Sequence, residues 1–287
     1  MSKGQDLVAW VNGRFMPLAK ACVNIEDRGF QFADGVYEVI ACFAGAFLDL
    51  DEHLERLANS CRAIELEMPV SQPELASLIR ETYLRNPFDH AMLYVQITRG
   101  VSPRSHQIAM GISPTLVITA RQLPLASEEK ISAGAKAITL TDFRWKRCDI
   151  KSISLLASVM GRQEADRQHV DEAFWLDDAG YVLEGCSTNC FAVINQRLVT
   201  HPLDHRVLEG ITRKIALRLT KEHGLAVDER PWKLGEPGLS EVFMTSTTNA
   251  AIPVCYIDAE AIGDGRPGPL SLRVREWLLE HFRELRS

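Results

Sequence analysis

The chain has 287 residues, is 46% hydrophobic and 24% charged, and carries a formal net charge of -6. That balance belongs to a soluble globular protein long enough for two domains. It excludes a broad basic field for nucleic acid or an anionic membrane, and no apolar run reaches the roughly 18 residues of a membrane span. In chain order, "LVAWVNGRFMP" reads as strand, Asn-Gly turn, strand. "YEVIACFAGAFLDL" repeats the pattern with Gly45 in the turn. "DEHLERLANSCRAIEL" predicts a helix capped by Asp51, with Leu54, Leu57, Cys61 and Ile64 as its apolar stripe. The capping box Ser71–Glu74 and a first-turn Pro73 start a second helix. "AMLYVQITRG" and "PTLVITARQ" are buried-strand candidates flanking the loop "VSPRSHQIAMGIS".

The polar, Pro- and Gly-broken stretch at 121–132 is the expected linker between domains at 1–120 and 133–287. The second half opens with the strand "KAITLTDFRW", then a helix from beyond Lys151 to about Gln168. "EAFWLDDAGYVLEGCSTNCFAVINQRLVTHP" predicts three or four strands with turns at "DDAG" and "NQR". "GITRKIALRLTKEHG" is a helix stopped by Gly224. "SEVFMTSTTNAAIPVCYI" is strand around a hydroxyl-rich turn, and "SLRVREWLLEHF" is a closing amphipathic helix. The expectation is two α/β or α+β lobes with a ligand site in the cleft between them.

Seven cysteines from Cys22 to Cys255, with no CxxC, suit reduced thiols, and "MSKGQDLVAWVNGRF" lacks the apolar core of a secretory signal. A cytoplasmic location follows as an expectation. No metal site is expected: Cys186 and Cys190 have no histidine partners nearby, and Pro202 breaks the helical face that His201 and His205 would need, leaving them as surface histidines. "GDGRPG" matches G-x-G-x-x-G but contains Pro267 and lies too near the C-terminus for a second βαβ strand, which argues against a nicotinamide-linked oxidoreductase.

Lys151 is the unusual residue. Only nine of the 32 basic residues are lysines, and most have an evident solvent position: Lys3 in the tail, Lys130 after two glutamates, Lys214 and Lys221 on a helix's polar side. Lys151 instead precedes Leu155, Leu156, Val159 and Met160, with Lys146 and Arg147 behind it. Burial and neighbouring cations both disfavour an ammonium, and a neutral amine attacks an aldehyde. On pattern alone, a lysine that snorkels to water is the simpler reading.

The motifs "EDRGFQFADGVYEVI", "DEHLERL", "RWKRCDIKSISLL", "EAFWLDDAGYVLEGCSTNCFAV", "VLEGITR" and "MTSTTNAAIPV" occur in order over nearly the whole chain. Together they resemble the fold-type IV (class IV) pyridoxal 5′-phosphate-dependent transaminases. The loop "TRGVSPRSHQ" is closer to the D-amino-acid transaminases, the D-alanine aminotransferases, than to the branched-chain L-amino-acid enzymes.

The resemblance implies a two-domain α/β fold and a role for each matched position. Lys151 matches the Schiff-base lysine that also acts as general acid and base, and Glu184 the partner of the pyridine nitrogen. Arg56, Ile211, Thr212, Ser246 and Thr247 match the phosphate-binding positions, and Leu208 the leucine packed on the cofactor ring. Arg56 lies off the apolar stripe of its helix, so pattern alone leaves it solvated, whereas the resemblance turns it into the cleft. Tyr37, Arg104 and His106 match the trap for the substrate's α-carboxylate, suited to Arg by its planar fork. Within the family that loop reaches the neighbouring subunit, which implies a homodimer. The implied reaction moves an amino group between D-amino acids and 2-oxo acids, with 2-oxoglutarate or pyruvate as acceptor. Alternatives are an (R)-selective amine transaminase, a branched-chain L-amino-acid transaminase, aminodeoxychorismate lyase, or a silent ligand-binding protein on the same scaffold. Cys186 and Glu209 depart from the family pattern and leave the side-chain preference open.

Overall fold

Asn12 and Gly13 adopt positive φ, +41° and +94°, the backbone of a tight hairpin turn. They join β1 (Val8–Val11) to β2 (Arg14–Pro17). The same device, Ala44 and Gly45 at +49° and +90°, joins β3 (Gly35–Phe43) to β4 (Ala46–Phe47). The structure, a computed structural model, describes residues 7–285, so Lys3 lies outside the described residues. Those residues divide into two compact units, 7–123 with Ile150–Ser154, and Pro124–Asp149 with Leu155–Leu285.

The first unit holds a short helix α1 (Arg28–Phe32), then α2 (Leu50–Ala63) and α3 (Gln72–Leu84), and two further strands, β5 (His90–Thr98) and β6 (Thr115–Gln122). Its six strands run antiparallel in the order β2-β1-β6-β5-β3-β4. Burial alternates along β5, as a sheet with one face on a core requires. Leu54, Leu57 and Cys61 of α2 and Leu75 and Ile79 of α3 cover that face. Ile64 ends α2 and packs at the margin of the core. Asp49, not Asp51, is the N-cap residue of α2; its left-handed backbone (φ +46°) lets the helix start two residues earlier than expected. The Ser71 hydroxyl accepts from the Glu74 amide, as the capping box predicts.

The second unit contains α4 (Glu128–Ala133), β7 (Ala135–Thr141), α5 (Leu156–Arg167), β8 (Glu172–Leu176), β9 (Val182–Gly185), β10 (Asn189–Ile194) and β11 (Arg197–Thr200). It continues with α6 (Ile211–Glu222), β12 (Val227–Glu229), β13 (Leu239–Ser246), β14 (Ala250–Ile257), β15 (Glu260–Ala261) and α7 (Pro269–Glu284). The sheet is mixed, in the order β12-β11-β10-β13-β14-β7-β8-β9, with β7 parallel to both neighbours. An Asn189↔Glu184 pair joins β9 to β10, so the path from β10 through β13, β14, β7 and β8 returns on itself. Burial is continuous in β9 and β10 and broken only at the last residue of β8, as expected where both faces are covered. Gly263–Gly268 forms the turn that leads into the last helix, with no strand after it among the described residues, so the dinucleotide fingerprint has no βαβ unit.

α7 begins at Pro269, two residues before the expected start. Its N-cap residue, Gly268, has no side chain to offer, and a Cβ there would fall 2.1 Å from the Glu241 carboxyl carbon. Glu241 does the capping from β13, accepting from the Leu270 and Ser271 amides at 3.0 and 2.7 Å. Glu241→Ala should therefore lower the unfolding free energy by about 2 kcal/mol, in the range of a lost N-cap. Glu241→Gln should retain part of it in urea titrations; equal stability of wild type and Glu241→Ala would refute the cap.

Candidate active site

In the first unit the candidate residues gather on β3. Gly35 opens the strand because a Cβ there would lie 2.7 Å from the Ile97 carbonyl oxygen. β4 covers only the far end of β3, and residues 151–153 pair with the near end. The Tyr37 amide donates to the Lys151 carbonyl at 3.0 Å, the Ile153 amide to the Gly35 carbonyl at 3.0 Å, and Val36 bridges Ser152. The Lys151 amide donates to Ser60 Oγ at 3.3 Å. The root of the lysine is thus fixed on three sides. Its half-buried side chain puts Nζ 4.4 Å from the centroid of the Tyr37 ring, within the range of a cation–π contact. Tyr37 stacks in turn on Tyr94, whose phenol is pushed up to about 12 by burial and by Tyr37.

This corrects the expected setting of Lys151. Leu156, Val159 and Met160 are exposed rather than buried, and α5 starts five residues after Lys151. Arg147 turns to Asp149, at 2.9 Å. The surroundings of Lys151 come from β3 and α2, which are distant in sequence.

Glu38 follows Tyr37 on β3 and is completely buried. His53 and Arg56, three apart and so on one face of α2, both reach it. Arg56 Nε and Nη2 donate to Glu38 Oε1 and Oε2 at 2.7 and 2.9 Å, and His53 Nδ1 lies 2.7 Å from Oε2. Burial alone would raise the Glu38 carboxyl, but Arg56 and His53 bring it well below the usual carboxylate range. Arg56 is therefore not solvated, as its helical position suggests, and neither Glu38 nor His53 stands out in the sequence. Arg104 and His106 lie on the exposed loop after β5, and their cation and ring contacts run to Phe32 of α1.

In the second unit Glu184 is buried on β9. Oε1 accepts from Arg144 Nη1 at 2.5 Å, and Oε2 from the Leu208 amide at 2.9 Å and Asn189 Nδ2 at 3.2 Å. Asp142 grips the other side of Arg144 through Nε and Nη2, and Arg144 lies over Trp175. Burial works against the Arg144 charge, but its bonds to Asp142 and the charge of Glu184 raise its pKa above the ordinary value. Asn189 also donates to the Leu208 carbonyl at 2.9 Å. A Cβ on Gly210 would fall 1.9 Å from Asn189 Oδ1. That contact requires glycine before Ile211 and Thr212, so α6 begins with no side-chain cap on its first amides.

Asn189 pairs with Thr245, one residue before Ser246 and the β13–β14 turn that holds Thr247. The structure thus groups Glu184, Leu208 and the start of α6 around Asn189, a residue inside the "CSTN" motif whose role has no pattern of its own. Cys186, a departure from the family pattern, is pushed up to about 12 by burial and the neighbouring Glu172. His201, expected at the surface, is buried with Nδ1 on the Pro202 carbonyl; the strand end at Thr200 carries it inward.

The class IV amino-transferase family model matches residues 35–257. A D-alanine aminotransferase of Bacillus licheniformis is 43% identical over 92% of this chain and 93% of its own. One of Listeria monocytogenes is 36% identical over 95% of each. Among solved structures, a branched-chain amino acid aminotransferase of Escherichia coli superposes with a TM-score of 0.89. It is 26% identical, with 97% of this chain and 95% of that one covered.

The depressed carboxyl of Glu38 makes a pH prediction. Its stabilisation is complete above the unfolded value of 4.5 and is lost as pH falls below it, because the unfolded state then binds a proton that the folded state refuses. Glu38→Gln should be less stable than wild type at pH 7, and the gap should narrow steadily below pH 4.5 in denaturant titrations. A gap independent of pH would mean that Glu38 is not ionised in the fold.

Proposed function

The chain belongs to the class IV aminotransferases, and on that premise we propose that it exchanges amino groups between D-amino acids and 2-oxo acids with pyridoxal 5′-phosphate. The observation that carries the reading is the Lys151 amine held over Tyr37 by backbone bonds to β3. The likeness to D-alanine aminotransferases over nearly the whole chain supports the D-configured substrate.

The donor chemistry fits the cofactor. Lys151 offers an amine, Glu184 a buried carboxylate for the pyridine nitrogen, and Leu208 a side chain for the ring. Arg56, the uncapped amides of Ile211 and Thr212, and the hydroxyls of Ser246 and Thr247 offer donors to a phosphate. When bound, pyridoxal 5′-phosphate supplies an aldehyde for the amino group and an electron sink for the bond broken at Cα.

The remaining work falls to the chain's own groups. Arg144, Asn189 and the Leu208 amide orient the Glu184 carboxylate, which would hold a proton on the pyridine nitrogen of the bound cofactor. Arg104, His106 and the Tyr37 hydroxyl bind the substrate carboxylate and aim the Cα hydrogen at Lys151. Lys151 Nζ takes that proton from Cα and delivers it to the carbon that accepts it; the reverse transfer serves the 2-oxo acid. The finer reading is a cytoplasmic homodimer. Leu156, Val159 and Met160, 74%, 60% and 55% exposed on α5, support it as an apolar surface that a second copy would cover.

A second reading, L-branched-chain transamination, is favoured by the likeness to the Escherichia coli structure. Purified protein should be yellow, D-alanine should bleach the visible band, and borohydride should fix the cofactor on the peptide carrying Lys151. Bleaching by L-valine and not by D-alanine would select the second reading, and protein that stays colourless with added cofactor would reject both. Arg104→Ala should lower kcat/KM for D-alanine by roughly 100-fold, as the loss of a charged hydrogen-bonded contact implies. Light scattering should give twice the 32.1 kDa chain mass, and Val159→Glu should shift it toward the monomer.

A further inference from the structure

The loop that carries Arg104 and His106 is exposed, yet recognition of a carboxylate by a planar fork tolerates little drift. Its fixation comes from α1. Asp27 caps α1 through the Gly29 amide at 2.8 Å, and a Cβ at Gly29 would lie 2.2 Å from Thr98 Cγ2, so α1 sits hard against β5. The Arg28 amide donates to the Gly100 carbonyl and the Ser102 amide to the Glu26 carbonyl, at 2.9 and 3.2 Å, while Asp27 bridges Val101. The stem of the loop is thereby laced to the stem of α1.

Beyond that stem the hold passes to side chains. Arg28 is only 4% exposed, and a buried guanidinium requires compensation. It donates from Nε to Asp34 Oδ2 at 2.8 Å and from Nη1 to the Ser105 carbonyl at 2.6 Å. Asp34 is anchored from the other side by Arg99, at 2.9 Å, which also donates to the Glu65 and Ile64 carbonyls at the end of α2. Ser105 is the residue between Arg104 and His106. Those two flank one ring: Phe32 lies 4.5 Å from the Arg104 guanidinium carbon and 5.4 Å from the His106 ring, with the Arg28 guanidinium carbon 4.8 Å away.

We infer that Arg28, Asp34 and Phe32 are positioning residues for carboxylate recognition: Arg28 fixes the Ser105 carbonyl, and the Phe32 ring sets the spacing of Arg104 and His106. The inference rests on the reading of Arg104 and His106 as the carboxylate trap. The arrangement differs from ordinary loop packing in its aim, since its contacts converge on the peptide and side chains of the two recognising residues.

The test uses the holoenzyme. Phe32→Leu keeps an apolar side chain and removes the ring; Phe32→Tyr keeps the ring; Arg28→Lys keeps a charge and removes the fork. Phe32→Leu and Arg28→Lys should raise KM for D-alanine and the inhibition constant of propionate together, about tenfold, as a loss confined to binding does. kcat should stay within about twofold, the visible band of the cofactor should be unchanged, and Phe32→Tyr should restore wild-type values. If kcat, the band and KM all deteriorate in step, the residues are merely structural and the inference is overturned. If KM stays at the wild-type value in Phe32→Leu and Arg28→Lys while Arg104→Ala loses D-alanine, the inference alone fails. If Arg104→Ala also keeps wild-type KM, the carboxylate trap itself is rejected and the inference goes with it.

Discussion

A carboxylate with no solvent exposure is the constraint around which the first unit is built. Glu38 would be a costly group in the core if it stood alone. Arg56 and His53 remove that cost by arriving from a single face of α2, and in doing so they fix the rotation and height of α2 against β3. The guanidinium is fixed as well. If Arg56 binds a phosphate as proposed, a long, flexible side chain that would otherwise lose several rotamers on meeting it has lost them already. Glu38 is thus a positioning device made from an ion pair, and it lies one residue along the strand from Tyr37, whose ring receives the Lys151 amine.

The second unit solves the same problem with different parts. Glu184 is held by a guanidinium, a side-chain amide and a backbone N–H, three donors to two oxygens. All three favour the ionised carboxylate. Arg144 is itself clamped by Asp142, so no mobile group is left to drift toward a better partner. The role proposed for Glu184, pairing with a pyridine nitrogen, would call for this environment, because a group free to take up the proton would weaken the electron sink.

How much of this is readable from the chain depends on whether the deciding partner is near in sequence. The two hairpins at Asn12–Gly13 and Ala44–Gly45, the Ser71 cap and the Gly224 stop follow from local chemistry, and the structure has them. The start of α7 escapes local reading because its cap, Glu241, comes from a strand 29 residues earlier. Periodicity puts Arg56 correctly off the apolar stripe but wrongly in solvent. It gives an angle around a helix axis; it cannot say that the polar side meets a buried glutamate from β3. Glu38 looks like any polar residue in an alternating strand, and Asn189 like any turn-adjacent asparagine. The family resemblance supplies candidate residues where spacing cannot, yet it names the groups proposed to touch ligands and passes over those that hold them.

The setting of Lys151 carries the most physical content. The sequence shows a lysine beside an apolar segment and suggests a helix mouth. The apolar residues instead face outward on α5, and the lysine is pinned through its backbone to the open side of β3. A helix would have set the direction of the Cα–Cβ bond by the helix axis. Pairing to a strand sets it by the pleat, and the next residue along the partner strand, Glu38, is already immobile. The root of the side chain is therefore fixed, and its four-carbon stem is only half-buried. The role proposed for Lys151, collecting a proton from one carbon and delivering it to another, asks for a fixed root and a tip that can reach both. The backbone hydrogen bonds at Gly35 and Tyr37 provide the first, and the half-buried position of the stem leaves room for the second.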